Sequence, residues 1–82
     1  MYFLYILECA DSTLYTGITT DLERRISEHN SSDLWAKYTH ARRPVKLVYY
    51  EKLENRSDAS KRELQVKKLT KKQKIELIKT QD

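Results

Sequence analysis

Eighty-two residues with 39% apolar and 34% charged side chains make one small folded unit, residues 1–82, rather than a disordered or fibrous chain. A single cysteine, Cys9, excludes an internal disulfide and a cysteine-based zinc site, and no apolar run approaches the length of a membrane span, so a soluble, cytoplasmic protein is expected. The net charge of +4 is unevenly divided: residues 1–60 carry eight Lys/Arg against nine Asp/Glu, whereas residues 61–82 carry eight against three. The basic C-terminal stretch is either a face that attracts a polyanion or a solvated, lysine-rich helix surface.

Residues 2–7 form a continuous apolar and aromatic run, long enough for a strand covered on both faces and too short for a helix. Residues 10–13 read as a turn, after which residues 14–19 return as the second strand of a hairpin. Phe3, Tyr5 and Leu7 share one face of the first strand, and Tyr15 and Gly17 share one face of the second. Two tyrosines can therefore meet across the hairpin. Gly17 is the only glycine, and within a strand pattern an isolated glycine marks a bulge or the close approach of another group.

A helix follows over residues 21–30. Thr20 and Glu23 have the spacing of a capping box, and Asp21 adds negative charge at the positive end of the helix dipole. Leu22 and Ile26 are its only apolar residues and must face the sheet. At about 100° per residue, Arg25 and His29 flank that stripe while Arg24 points to water. The pair is either a site at the edge of the core or an ordinary Asp21–Arg25 contact beside a half-buried histidine.

Residues 31–44 have no periodicity and read as a long loop in which Lys37, His40, Arg42 and Arg43 are interleaved with Trp35 and Tyr38. That mixture suits phosphate contacts with base stacking, or else a tryptophan lid on the core among solvated cations. Residues 45–50 form a third strand. A helix over residues 57–69 places Glu63 in line with Ala59 and Val66, with Leu64 broadening the buried arc. Glu63 is either an edge glutamate paired with Lys67 or a carboxylate available to a divalent metal. Thr70 and Gln73 form a second capping box for a helix over residues 71–79, with Ile75 and Ile78 turned inward. The order is ββαβαα: an α+β fold with a small three-stranded antiparallel sheet flanked by helices.

Tyr5 in the first strand, Tyr15-x-Gly17 in the second, Arg25-x-x-x-His29 in the helix and Glu63 further on form an ordered set that resembles the GIY-YIG nuclease superfamily across nearly the whole chain. The run from Leu14 to Arg25 and the lysine-rich tail are similar to those of its small stand-alone bacterial members, the UPF0213 group. The resemblance implies a metal-dependent endonuclease that hydrolyses phosphodiester bonds in DNA, in repair or recombination, with Mg²⁺ or Mn²⁺ as cofactor. It implies Tyr5 as general base beside the attacking water, Tyr15 as a phosphate- or water-orienting group, Arg25 as the stabiliser of the pentavalent phosphate and His29 as phosphate ligand or proton relay. Glu63 is implied as the metal ligand, and Gly17 as the gap that admits the phosphate, with Lys67 among the nucleic-acid contacts. A phenol whose ordinary pKa is near 10 serves as a base only with positive charge nearby. Phe3, Leu4 and Thr16 depart from the family triplets at structural positions. No added recognition domain is read in the chain, so target choice is expected from a protein partner. The alternative is a nucleic-acid-binding module that does not cut, or cuts only with a partner.

Overall fold

The computed structural model describes residues 1–31 and 44–81. Lys37, His40, Arg42 and Arg43, with Trp35 and Tyr38, lie outside the described residues.

Three strands form one antiparallel sheet: β1 (Tyr2–Glu8), β2 (Leu14–Thr19) and β3 (Lys46–Leu53), in the order β2-β1-β3. The first strand is therefore central. That is why its sequence is apolar at consecutive positions: Leu4 and Ile6 are buried towards one face, Tyr5 and Leu7 towards the other. Each fully buried Leu or Ile contributes about 1.5–3 kcal/mol. The 9–13 turn closes with the Cys9 N–H donating to the Thr13 carbonyl, while Asp11 accepts from the N–H and hydroxyl of Thr13. Cys9 is a buried free thiol, as its apolar setting indicates.

Helix α1 (Leu22–Ser31) covers the Tyr5 and Leu7 face through Leu22 and Ile26. Its cap differs from the expected one. The Asp21 carboxylate accepts the N–H of Arg24 at 3.1 Å, and the Asp21 N–H donates to the Thr19 hydroxyl. Asp21 is thus the cap, Thr20 stands outside the helix and exposed, and Glu23 contributes as an acid in the first turn. A short acidic side chain one residue later makes the capping bond by itself, so the box is not needed. At the other end, the Asn30 side-chain amide donates to the Val45 carbonyl and accepts the Val45 N–H at 2.8 Å, tying the last turn of α1 to the entry of β3.

Helices α2 (Arg56–Lys67) and α3 (Lys71–Lys79) complete the molecule, and Val66, Leu69, Leu77 and Ile78 pack on the Leu4 and Ile6 face. Asn55 caps α2 by accepting the Asp58 N–H, so this helix begins and ends earlier than the residues 57–69 expected. Leu64 is 61% exposed and does not broaden the buried arc. The Thr70/Gln73 capping box forms in full. Along α3 it is Leu77 with Ile78 that packs, while Ile75 remains 38% exposed, because the core is met by the C-terminal half of this helix. In β3, Leu47 stands opposite Leu7 but Tyr49 stands opposite Ile6. Val48 is the extra residue of a bulge, and it turns into the α2–α3 core.

Candidate functional site

Tyr5 sits mid-way along the central strand, opposite Gly17 on β2 and Tyr50 on β3. Its ring lies over Gly17. A Cβ at that glycine would fall 2.5 Å from the Tyr5 Oη and 2.7 Å from its Cζ, closer than atoms tolerate. The space left by the missing side chain is therefore taken by the Tyr5 ring, so any room that Gly17 makes for a phosphate lies beside that phenol. What the glycine permits is the position of the phenol.

Helix α1 delivers His29 to that phenol. Leu22 and Ile26 set the rotation of the helix, and His29, one position beyond their stripe, is brought wholly under cover at 0% exposure rather than half-buried. Its Nε2 lies 3.2 Å from the Tyr5 Oη. The Tyr15 ring meets the imidazole edge-on with centroids 4.9 Å apart and stands 6.4 Å from the Tyr5 ring. The two tyrosines thus meet diagonally across the hairpin, with the histidine closing a triangle of rings. Edge-to-face contacts of this kind add to the burial that holds the imidazole in place.

Three charged residues, Arg25, Glu28 and Glu63, act on this triangle. Arg25 is one turn before His29, with its side chain 34% exposed and its Nε 3.8 Å from Glu28. Arg24 points to solvent as expected and pairs with Glu28 at 3.5 Å. Glu63 is half-buried on α2 with Lys67 Nζ 3.1 Å from its carboxylate. The Tyr5 phenol is pushed above its ordinary pKa, by burial first and then by Tyr15, with Glu63 and Glu28 in the same direction; Arg25 opposes them. Tyr5 is accordingly a protonated phenol at neutral pH.

Beside Arg25 a polar cleft of about 340 Å³ is lined by Thr19, Thr20, Asp21, Arg24, Arg25 and Glu28. Arg25 and Glu28 are common to the cleft and the groups that tune Tyr5, and Arg25 is the cation of the two. Among the described residues no three His, Cys, Asp or Glu side chains converge as a metal cage. Glu63, as a lone hard-oxygen donor, fits Mg²⁺ or Mn²⁺, which take one or two carboxylates with waters and phosphate oxygens completing the shell. It does not fit structural zinc.

A second cluster was not foreseen. Arg62, next to Glu63, makes a bidentate pair with Glu51 of β3 at 2.9 Å, and the Tyr49 hydroxyl donates to the same carboxylate. Burial alone would raise Glu51, but the Arg62 and Tyr49 hydrogen bonds hold it below the usual carboxylate range. Tyr49 is pushed up to about 12 by burial and by its bond to Glu51. Only the alternation that puts residues 49 and 51 on one strand face hints at this cluster in the sequence.

The model of the GIY-YIG catalytic domain matches residues 1–76. The chain belongs to the GIY-YIG family. Its relatives include the UPF0213 protein of Desulfotalea psychrophila, 56% identical over 99% of this chain and 74% of that protein, and one from Clostridium perfringens, 54% identical over 95% and 83%. Two solution NMR structures share the fold. A UPF0213 protein from Bacillus halodurans has a TM-score of 0.62 at 41% identity, over 98% of this chain and 85% of that one; an E. faecalis protein has 0.66 at 48%, over 96% and 83%. GIY-YIG is a nuclease family whose enzymes generally depend on a divalent metal, so a nucleic-acid substrate is implied. Among the described residues no helix is long and apolar enough to cross a membrane.

Proposed function

We propose that this GIY-YIG chain, acting as one domain in the cytoplasm, is an endonuclease that hydrolyses phosphodiester bonds in DNA with Mg²⁺ or Mn²⁺. The observation that carries the reading is the buried contact of the Tyr5 hydroxyl with His29 Nε2, under charges from Arg25 and Glu63. Because burial and nearby acids keep the phenol protonated, a free phenolate base is disfavoured and a relay is favoured. In that relay the Tyr5 oxygen takes a proton from the attacking water while its own proton passes to His29 Nε2. An imidazole is suited to receive it, since its ordinary pKa lies near neutrality. The water oxygen bonds to phosphorus, the opposite P–O bond breaks in line, and the leaving oxygen is protonated from solvent. Arg25 stabilises the charge that gathers on the phosphoryl oxygens, and Tyr15 orients the phosphate or the water. Glu63 would hold the cation, which supplies charge neutralisation at the phosphate.

Contacts to the nucleic acid are assigned to Lys67 and to Lys37, His40, Arg42 and Arg43, with target choice in repair or recombination coming from a protein partner. A second reading, a nucleic-acid-binding module that does not cut alone, is favoured by one observation. The Lys67 ammonium sits 3.1 Å from the Glu63 carboxylate and competes with a metal for that acid.

A cleavage panel of single-stranded, nicked, flapped and branched DNAs and a structured RNA distinguishes the two. The nuclease reading expects cutting with Mg²⁺ or Mn²⁺, none in EDTA, and none from Glu63→Ala although that variant still binds. Cutting that survives EDTA, or no cutting of any substrate, would overturn it.

A further inference from the structure

The strongest concentration of charge lies away from the ring triangle, at the corner where α2 turns into α3. We infer that Lys68, Lys71, Lys72 and Lys74 at this corner form a docking surface for the sugar–phosphate backbone of the nucleic acid. Lys68, Lys71 and Lys72 are exposed and Lys74 is half-buried. Among the described residues none of the four has an acid within ion-pair distance; Glu76, one turn after Lys72, pairs with none of them. The adjoining Lys67 is held by Glu63, so the surface begins one helical turn from the candidate metal ligand.

Lys68 caps the C-terminus of α2, where a cation suits the helix dipole, but the three lysines of α3 are placed against the fold. The first turn of α3 holds no acid, although that is where a carboxylate would be stabilising and where lysines face the positive end of the helix dipole. Even the capping box uses neutral Gln73 at the position where Glu serves equally well. A solvated surface serving solubility alone gains nothing from this arrangement. A surface for a polyanion does.

The chemistry selects a nucleic-acid backbone over a lipid surface. Membrane-lying helices interleave their cations with exposed apolar residues. Here residues 70–74 are Thr, Lys, Lys, Gln and Lys, Leu69 before them packs into the core, and the one apolar side chain that follows, Ile75, is only 38% exposed, too little for a face that lies in lipid. Point cations on flexible stems, without a stacking aromatic among them, suit phosphates and carry no base readout. The strand whose phosphate lies at Glu63 would continue over Lys67 onto the corner.

This surface rests on the nucleic-acid reading above, and the test separates the two. The full chain and the variant K68Q/K71Q/K72Q/K74Q are titrated, in EDTA so that nothing is cut, with a short labelled DNA duplex at several salt concentrations and with anionic phospholipid vesicles. The expected result is a salt dependence, log K against log salt, shallower in the variant by about three to four, with binding at low salt weakened about tenfold or more. Its Tm should stay close to wild type, since the three charges removed from α3 oppose that helix's dipole while Lys68 complements that of α2. An unchanged salt slope overturns the surface, whether or not the protein cuts. So does vesicle binding lost in the variant without any change on DNA. Full effects of the lysines in a protein that cuts nothing support the surface and count only against the nuclease.

Discussion

Gly17 and Tyr5 face each other across the β1–β2 ladder, and the space left by the one is filled by the ring of the other. Gly17→Ala must therefore push the phenol off His29. We expect a loss of about 1–3 kcal/mol in stability and a larger fractional loss of cleavage, checked by comparing unfolding and rate for the same variant. Loss of stability with cleavage intact would mean that the Tyr5–His29 contact is not used. Thr16 offers the opposite case. Its buried hydroxyl finds no hydrogen-bond partner among the described residues, on the face where Leu14 and Ile18 pack. Thr16→Val keeps the shape and deletes the orphan, so we expect a gain of about 1 kcal/mol, seen as a rise in Tm of about 4–8 °C. A neutral or destabilised variant would mean that the hydroxyl is satisfied. At this scale the need for a glycine was legible from its isolation in a strand pattern. Its occupant was not, because cross-strand register decides which side chain lies over it.

Between elements, the periodicity of α1 was enough to put Arg25 and His29 beside the buried stripe, since two apolar residues one turn apart leave a single rotation for the helix. The depth of His29 was not legible, because burial depends on what the sheet brings up beneath it. Caps were read unevenly. Thr70 and Gln73 behave as the pattern says, but around Thr20 three consecutive residues carry capping oxygens, and only backbone geometry chooses Asp21. The Arg62–Glu51–Tyr49 cluster joins α2 to β3, and its two halves are brought together by a register that the chain does not display. Because the folded-state pKa of Glu51 is depressed, its contribution is present above the unfolded value and is lost as pH falls through the folded one. Arg62→Ala should cost about 2 kcal/mol at neutral pH. The Tm gap between wild type and Glu51→Gln should narrow as the pH drops below about 4. A gap independent of pH would contradict the assigned linkage.

Across the whole molecule, the order ββαβαα was readable because each element carries its own period and the breaks between them are sharp. The partition of charge was equally plain: residues 61–82 hold eight Lys/Arg against three acids. The i,i+4 spacing offered the Lys67–Glu63 pair as one of two readings, but the commitment of Arg62 was not readable. The structure divides them, pairing Arg62 with Glu51 and Lys67 with Glu63 and leaving the α2–α3 corner facing outward. The proposed nuclease rests on a basic edge continuous with Glu63 and on a ring triangle tuned by Arg25. The central claim of that account is that Tyr5 and Glu63 serve the same bond-breaking event. The direct measurement is single-turnover cleavage, under saturating protein and metal, by wild type, Tyr5→Phe, Glu63→Gln and the double variant. The account predicts that each single change lowers the rate by about 10²-fold or more, that the double change costs less than the product of the two, and that all four proteins bind DNA alike. Independent, multiplicative losses, or a Tyr5→Phe protein that cuts at the wild-type rate, would contradict it.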